Sequence, residues 1–319
     1  MPDSAYDTVN ETLTFIQRHR NERLLLKIHV MTQTRNTLQT LISAKRAVLL
    51  PGAFNAMSAR LIQDLGFEAV YVTGAGVTNM SLGLPDMGFM GLSEVIEHTQ
   101  RIRDTVQIPI VVDADTGFGN AVNVYHTVRQ LDRAGADCVQ LEDQTSPKRC
   151  GHFNGKDVVG ISEMVGKIHA AVDARGDSGM LVMARTDAAA VHGFEAAIER
   201  AARFAEAGAD ILFVEALTNI EQVRSVPRLV NRPVIMNLVL GGKSPILSRT
   251  ELAEAGYSLV LYANAALQAA LAGMSKVLAQ LHRDGELKED AALIAPFAER
   301  QRLVDKPFWD ALEQRYADR

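Results

Sequence analysis

Short apolar, β-branched runs alternate with amphipathic stretches along most of this chain. The runs are RAVLLP (46–51), EAVYVTG (68–74), PIVVDAD (109–115), CVQLED (138–143), MLVMARTD (180–187), ILFVEA (211–216), PVIMNLV (233–239) and LVLYAN (259–264). Each is compact and largely apolar, the pattern of a strand buried on both faces. Between them lie helical stretches such as 121–135 and 194–208, both closing on Ala-Gly-Ala-Asp, at 134–137 and 207–210. Glycine supplies the left-handed helix cap and the next strand follows at once. Eight such alternations predict an α/β fold, a closed (β/α)8 barrel of TIM type over residues 46–285. A doubly wound open sheet is the rival. No GxGxxG follows the first strand, which weakens its dinucleotide-binding version.

Both ends fall outside the alternation. Residues 1–45 form an N-terminal extension, helical from about residue 5 (VNETLTFIQRH, then NTLQTLISAKR). Residues 286–319 read as one or two charged amphipathic helices carrying Phe297, Phe308, Trp309 and Leu312, with no strand left to cover. They are expected to pack on the barrel's own outer ring or on a neighbouring subunit.

Composition narrows the classes. Apolar residues make up 47% and charged residues 22% of the 319 positions, as in ordinary soluble globular proteins. A net charge of −5 argues against a nucleic-acid partner. No apolar stretch reaches the length of a membrane span and the amino terminus lacks a signal-peptide pattern, so a cytoplasmic location is expected. Two cysteines, Cys138 and Cys150, cannot build a disulfide framework. Cys138 sits in an apolar run and reads as core.

The barrel reading makes a chemical test available, because active groups gather at the carboxyl ends of barrel strands. Here those ends read Thr73-Gly74, Asp113-Ala114-Asp115, Glu142-Asp143, Arg185-Thr186-Asp187, Glu215, Asn237 and Asn264. Crowded carboxylates repel unless a cation holds them. Oxygen-only donors point to Mg²⁺, with Mn²⁺ as a substitute. Asp113 and Asp115, both expected to face the mouth by strand alternation, are the best ligand pair, and Glu142 is placed to hold metal waters. Zinc is disfavoured, since no His/Cys cluster has ligand spacing. Arg185 suits a substrate carboxylate, or an ion pair with Asp187. Thr73, Gly74 and Ala75 offer backbone N–H groups to a second carboxylate. The polar loop SPKRCGHFNGK (146–156) has the composition of a moving loop. In it Cys150 lies beside Lys148, Arg149 and His152, cations that lower a thiol's pKa.

These pieces together resemble the isocitrate lyase/phosphoenolpyruvate mutase superfamily, over about residues 35–285. The resemblance rests on LLPGAFNAMSARL (49–61), YVTGAG (71–76), SLGLPDMG (81–88), VDADTGFGN (112–120), LEDQ (141–144), KRCGH (148–152), MARTDA (183–188), FVEA (213–216) and GGKSP (241–245). KRCGH marks the lyase branch. The resemblance implies Mg²⁺-dependent carbon–carbon cleavage of a small anionic 2-hydroxy acid, in a homotetramer with exchanged C-terminal helices. It implies Asp113 and Asp115 as direct metal ligands, with Asp86 and Glu142 acting through water. It makes Cys150 the general acid, with Arg149, Gly151 and His152 beside it. Thr73, Gly74, Ala75, Arg185, Glu215 and Asn237 become substrate contacts. The base is left open between Tyr71, Glu215 and a metal-bound water.

Two departures bear on specificity. The family's Ser-Gly-Gly reads Thr73-Gly74-Ala75 here. The segment NLVLGGKSP (237–245) lacks the Asn-Ile-Thr-Glu-Phe-Gly pattern of methylisocitrate lyases. It looks more like the dimethylmalate lyase, petal-death-protein and oxaloacetate hydrolase group, with Leu240 where that group often has Glu. The expected substrate is therefore a 2,3-dimethylmalate-like dicarboxylate, cleaved to pyruvate and a short carboxylate. Methylisocitrate cleavage to pyruvate and succinate, oxaloacetate hydrolysis or decarboxylation, and a non-enzymatic dicarboxylate-binding relative are the alternatives.

Overall fold

A computed structural model describes residues 30–149, 151, 155–242 and 244–317. Eight parallel strands close in sequence order into a barrel, which excludes the open sheet. They are β1 (Val48–Ala53), β2 (Val70–Val72), β3 (Ile110–Asp113), β4 (Cys138–Glu142), β5 (Leu181–Thr186), β6 (Ile211–Val214), β7 (Val234–Asn237) and β8 (Leu259–Tyr262). The barrel closes where Val48 pairs with Leu259 and Leu50 with Leu261. All eight coincide with the apolar runs of the sequence, most of them trimmed by a residue or two, while β1 runs on to Ala53, two residues past its run.

One helix, α1, covers residues 30–43. The others are α2 (Ala56–Asp64), α3 (Gly74–Leu82), α4 (Leu92–Arg103), α5 (Ala121–Ala134), α6 (Ile161–Arg175), α7 (Phe194–Glu206), α8 (Ile220–Leu229), α9 (Arg249–Ala255), α10 (Ala265–Asp284), α11 (Phe297–Leu303) and α12 (Lys306–Ala317). Helix α5 shows why such segments are helical. Asn120 caps its first turn by accepting from the Val122 and Asn123 N–H groups, and Gly135 ends it at φ 103°. The aspartates that close the two Ala-Gly-Ala-Asp repeats then reach the neighbouring strands: Asp137 accepts the Ile110 N–H and Asp210 the Val182 N–H, both at 2.8 Å.

Strand alternation separates two cores. One face packs on the helices, through residues such as Val112, Val139, Leu141, Val182 and Leu212. The other fills the barrel, through Leu50, Tyr71, Val111, Cys138, Met183, Phe213 and Leu261. Cys138 is thus a core residue, and burial pushes its thiol's pKa well up. At the amino ends of the strands, α1 forms the floor. Its Leu38, Leu41 and Ile42 join the barrel interior. Thr34 donates to Asp137 Oδ1 at 2.5 Å, and Arg103 reaches the other Asp137 oxygen at 3.0 Å.

The C-terminal segment forms two helices. Arg302 of α11 pairs with Asp64 of α2, and Arg60 donates to the Leu303 carbonyl. The long α10 buries none of its residues, and Phe297, Phe308 and Trp309 are more than half exposed. No helix among the described residues is long and apolar enough to cross a membrane.

Candidate active site

The parity that fills the barrel continues upward and becomes polar at its mouth. On β4 the inward series is Cys138, Gln140, Glu142; on β5 it is Leu181, Met183, Arg185; on β6 it is Ile211, Phe213, then Glu215 just beyond the strand. One pocket at this mouth is lined by Tyr71, Thr73, Ala75, Asp86, Asp113, Glu142, Lys148, Arg149, Gly151, Arg185, Glu215 and Asn237. Val239, Leu261, Ala263 and Asn264 complete its wall. Residues far apart in sequence therefore meet because successive strand ends share one rim. Cys150 and His152 lie outside the described residues.

Two expectations need correction. Asp115 does not reach the rim by strand alternation, since β3 ends at Asp113. It sits in the following turn at φ 48°, a left-handed conformation that aspartate tolerates, and donates its N–H to Asp113 Oδ1 at 3.1 Å. Thr73 does not offer its N–H to a ligand, because that group donates to the Ala53 carbonyl. Thr73 is instead the N-cap of α3, its hydroxyl accepting the Gly76 N–H. The N–H groups of Gly74 and Ala75, in the first turn of α3, have no intrahelical partner and carry the positive end of the helix dipole. A Cβ placed on Gly74 would lie 3.1 Å from Asp113 Oδ2 and 3.4 Å from Asp115 Oδ1, so both carboxylates converge on this helix start.

Lys148 balances the acidic side. Its Nζ lies 2.6 Å from Asp86 Oδ1 and 2.7 Å from Asp115 Oδ1, with the side chain 5% exposed. The ammonium thus ties the Asp86 and Asp115 carboxylates together. Burial pushes the Asp115 carboxyl up to about 7, against the pull of Lys148 and helped by Asp113. Burial also raises Glu142 well above the usual carboxylate range despite Arg185 and Lys148 nearby, and Glu142 Oε1 has no hydrogen-bond partner among the described residues.

Arg185 is held rather than free. It donates to both oxygens of Asp187, at 2.9 and 3.1 Å, and lies 3.4 Å from Glu142 and from Glu215. Its guanidinium carbon stands 5.0 Å from the Phe213 ring centre. Asp187 also takes Lys156 at 2.7 Å. Asp143 stays off the pocket; it accepts from Thr186, the Asp187 N–H and Arg200. So the expected ion pair and the expected pocket position of Arg185 hold together. Asn237 donates to Glu215 at 3.0 Å, and its carbonyl oxygen has no hydrogen-bond partner among the described residues.

The loop after β4 is tied to this frame. The Gln144 amide accepts the Arg149 N–H at 3.0 Å and donates to the Arg149 carbonyl at 2.8 Å. Lys156 donates to the Gly151 carbonyl. A Cβ on Gly151 would come 2.3 Å from Arg185 Nη2 and 2.9 Å from Glu215 Cγ, so only glycine fits there.

Three residues were not singled out as site residues from sequence. In the sequence Lys148 stands out only as a neighbour of Cys150. Gln140 was hidden in an apolar strand, where a lone amide was the available signal. Val239 looked like ordinary strand filling.

Comparison with known proteins follows this geometry. The family model described as phosphoenolpyruvate phosphomutase matches residues 38–282. A 2-methylisocitrate lyase of Aeropyrum pernix is 45% identical over 252 residues, 79% of this chain and 81% of its own. A 2,3-dimethylmalate lyase of Eubacterium barkeri is 39% identical, covering 88% of this chain and 97% of its own. Among solved structures, a 2,3-dimethylmalate lyase superposes with a TM-score of 0.82 at 32% identity, over 89% of this chain and 95% of that one. A phosphonopyruvate hydrolase in complex with oxalate and Mg²⁺ gives 0.79 at 31%, over 89% and 99%. The chain belongs to the phosphoenolpyruvate mutase/isocitrate lyase superfamily. Within it, the chain is an enzyme of the carbon–carbon lyase kind.

Proposed function

We propose that the chain cleaves a small 2-hydroxy dicarboxylate of the 2,3-dimethylmalate type to pyruvate and a short monocarboxylate, with Mg²⁺ or Mn²⁺ bound. The observation that carries this reading is the composition of one pocket. Asp86, Asp113 and Glu142 line it, Arg185 stands beside Glu142 on the neighbouring strand, and Val239, Leu261 and Ala263 give an apolar wall. The wall suits small alkyl substituents, and a dimethylmalate lyase matches over almost its whole length.

The residues fit a divalent cation. The donors are all oxygens, Glu142 Oε1 lacks a hydrogen-bond partner among the described residues, and Lys148 already places one cationic group between Asp86 and Asp115. Among the described residues no three His, Cys, Asp or Glu groups form a cage. Mg²⁺ takes one or two carboxylates directly and keeps its waters, so it needs no such cage. Asp113 and Asp115 would hold it directly, Asp86 and Glu142 through water. When bound, the cation supplies Lewis-acid polarisation of the substrate's 2-oxygen and fixes its orientation.

The chain's own groups would do the rest. Arg185, held by Asp187, binds one substrate carboxylate, and the Gly74 and Ala75 N–H groups bind the other. Asn237 offers its carbonyl oxygen, which has no partner among the described residues, to a substrate donor. Glu215 removes the 2-hydroxyl proton. Tyr71 suits that role less, because its own proton points at Gln140 Oε1, 2.7 Å away. The C2–C3 bond then breaks, and Cys150 donates its proton to the carboxylate-stabilised carbanion. Arg149, Gly151 and His152, beside it in the motif, would close the site against water.

A second reading is 2-methylisocitrate cleavage, favoured by the 45% identical relative. A panel of 2-hydroxy di- and tricarboxylates, with pyruvate release followed by coupled assay, tests both. A kcat/KM for methylisocitrate more than ~200-fold above that for dimethylmalate, beyond one methylene-scale contact, would reverse the choice. Release of pyruvate from none of them would remove the lyase-substrate proposal altogether.

A further inference from the structure

Gln140 is the one amide in the interior series of β4, fully buried between Cys138 below and Glu142 at the rim. It does not line the pocket. It touches two residues that do. Its Nε2 donates to Asp113 Oδ1 at 3.1 Å, and its Oε1 accepts the Tyr71 hydroxyl at 2.7 Å.

The direction of this chain follows from chemistry. A carboxylate only accepts, so the amide must turn its NH₂ toward Asp113 and its carbonyl toward Tyr71. An amide carbonyl also only accepts, so Tyr71 must donate. Asp113 also lies within reach of the phenol, so the Tyr71 hydroxyl stands between two acceptors, with Gln140 Oε1 at 2.7 Å. Asp113 Oδ1 thus receives two donors, the Gln140 amide and the Asp115 N–H. Its Oδ2 is left turned toward the start of α3, where Asp115 Oδ1 also converges.

We propose that Gln140 is a positioning residue for the metal site: clamped by Tyr71, it pins one oxygen of Asp113 and thereby presents the other to the cation. This rests on the Mg²⁺ reading above. Groups behind a metal ligand orient it, and their loss typically weakens metal binding by ~10–100-fold. The same geometry commits Tyr71 to orienting Gln140, which removes it from proton transfer with substrate.

The test is calorimetric titration of Mg²⁺ into the substrate-free protein, with melting temperature and circular dichroism recorded alongside. Gln140→Met keeps the length of the side chain without its polar atoms, and should weaken Mg²⁺ binding by ~10–100-fold. Tyr71→Phe should weaken it less, because the amide remains but loses its clamp. In the double variant the Tyr71 effect should vanish, since both act through one chain. Activity at saturating Mg²⁺ should recover to within a few-fold of wild type in Gln140→Met.

Wild-type Mg²⁺ affinity in folded Gln140→Met would overturn the proposal, as would simple addition of the two single losses. Should Gln140→Met fail to fold, Tyr71→Phe decides alone: unchanged Mg²⁺ affinity counts against the proposal, weakened affinity for it. Absence of Mg²⁺ binding to the wild type would instead sink the metal reading itself.

Discussion

Lys148 and Asp115 face each other across 2.7 Å at the rim of the barrel, the lysine almost fully buried. The ammonium is the counter-charge that lets several carboxylates share one pocket. Removing one partner of a buried ion pair leaves an uncompensated charge, at a cost of ~3–5 kcal/mol. Lys148→Met should therefore melt well below wild type in EDTA. Saturating Mg²⁺ should recover more of that loss than it adds to wild type, because a cation binding only the folded state stabilises it by mass action. Equal Mg²⁺-induced shifts in the two proteins would contradict this role.

Asp113 is the carboxylate on which the proposed cation depends. Asp113→Ala should abolish turnover and Mg²⁺ binding while the circular dichroism of the barrel persists. Full activity of the wild type after exhaustive chelation would refute the metal dependence.

Gly151 sits where no side chain fits, its would-be Cβ 2.3 Å from Arg185 Nη2. Gly151→Ala must displace either the loop or the guanidinium. A misplacement of about 1 Å at a reacting centre can cost ~10²-fold in rate. A fall of that order in kcat/KM is expected, with a melting temperature near wild type. Unchanged kinetics would show that Arg185 has room to move.

Asp187 supplies a pH signature. Burial alone would raise its carboxyl, but Arg185 and Lys156 overcome that and hold it below the usual 3.8. A carboxylate with a lowered folded pKa gives stability that is complete above the unfolded value and lost as pH falls through the folded one. Between pH 5 and 2.5, wild-type unfolding free energy should drop more steeply than that of Asp187→Asn, itself less stable at neutral pH. Parallel slopes in urea titrations across that range would argue against this pair as an acid-sensitive element.

The C-terminal helices should be an assembly surface. Phe297, Phe308 and Trp309 are exposed, α10 buries none of its residues, and apolar area of this extent on a monomer marks an interaction site. A homotetramer with exchanged C-terminal helices is the expected form. Sedimentation of the full chain as a monomer would reject it. Deletion of residues 286–319 should give smaller and less stable species.

Much of this molecule was legible in advance. β6 reads from the sequence because a strand buried on both faces must be almost wholly apolar, and ILFV is. The helix cap at Gly135 reads because cap chemistry is local. Asp113, Glu142, Arg185, Glu215 and Asn237 read as one group, since a barrel puts every strand's carboxyl end on a single rim.

What the sequence determined by itself is the content of local backbone: eight strands, their helices, and which residues stand at the strand ends. Direction and partnership needed the tertiary structure. Asp115 reaches the site through a left-handed turn, not through strand alternation, because backbone conformation past a strand end depends on the contacts that hold it. The Thr73 N–H is consumed by β1, while Gly74 and Ala75 keep theirs, a distinction set by where β2 passes into α3. Residues 30–43 look like an appendage in the sequence, yet Leu38 and Ile42 close the barrel floor. Gln140 looks like a flaw in an apolar strand until Tyr71 and Asp113 arrive from two other strands on either side of its amide. Hydrogen bonds between residues 69 and 27 positions apart exist only once the barrel closes, and no local pattern encodes them.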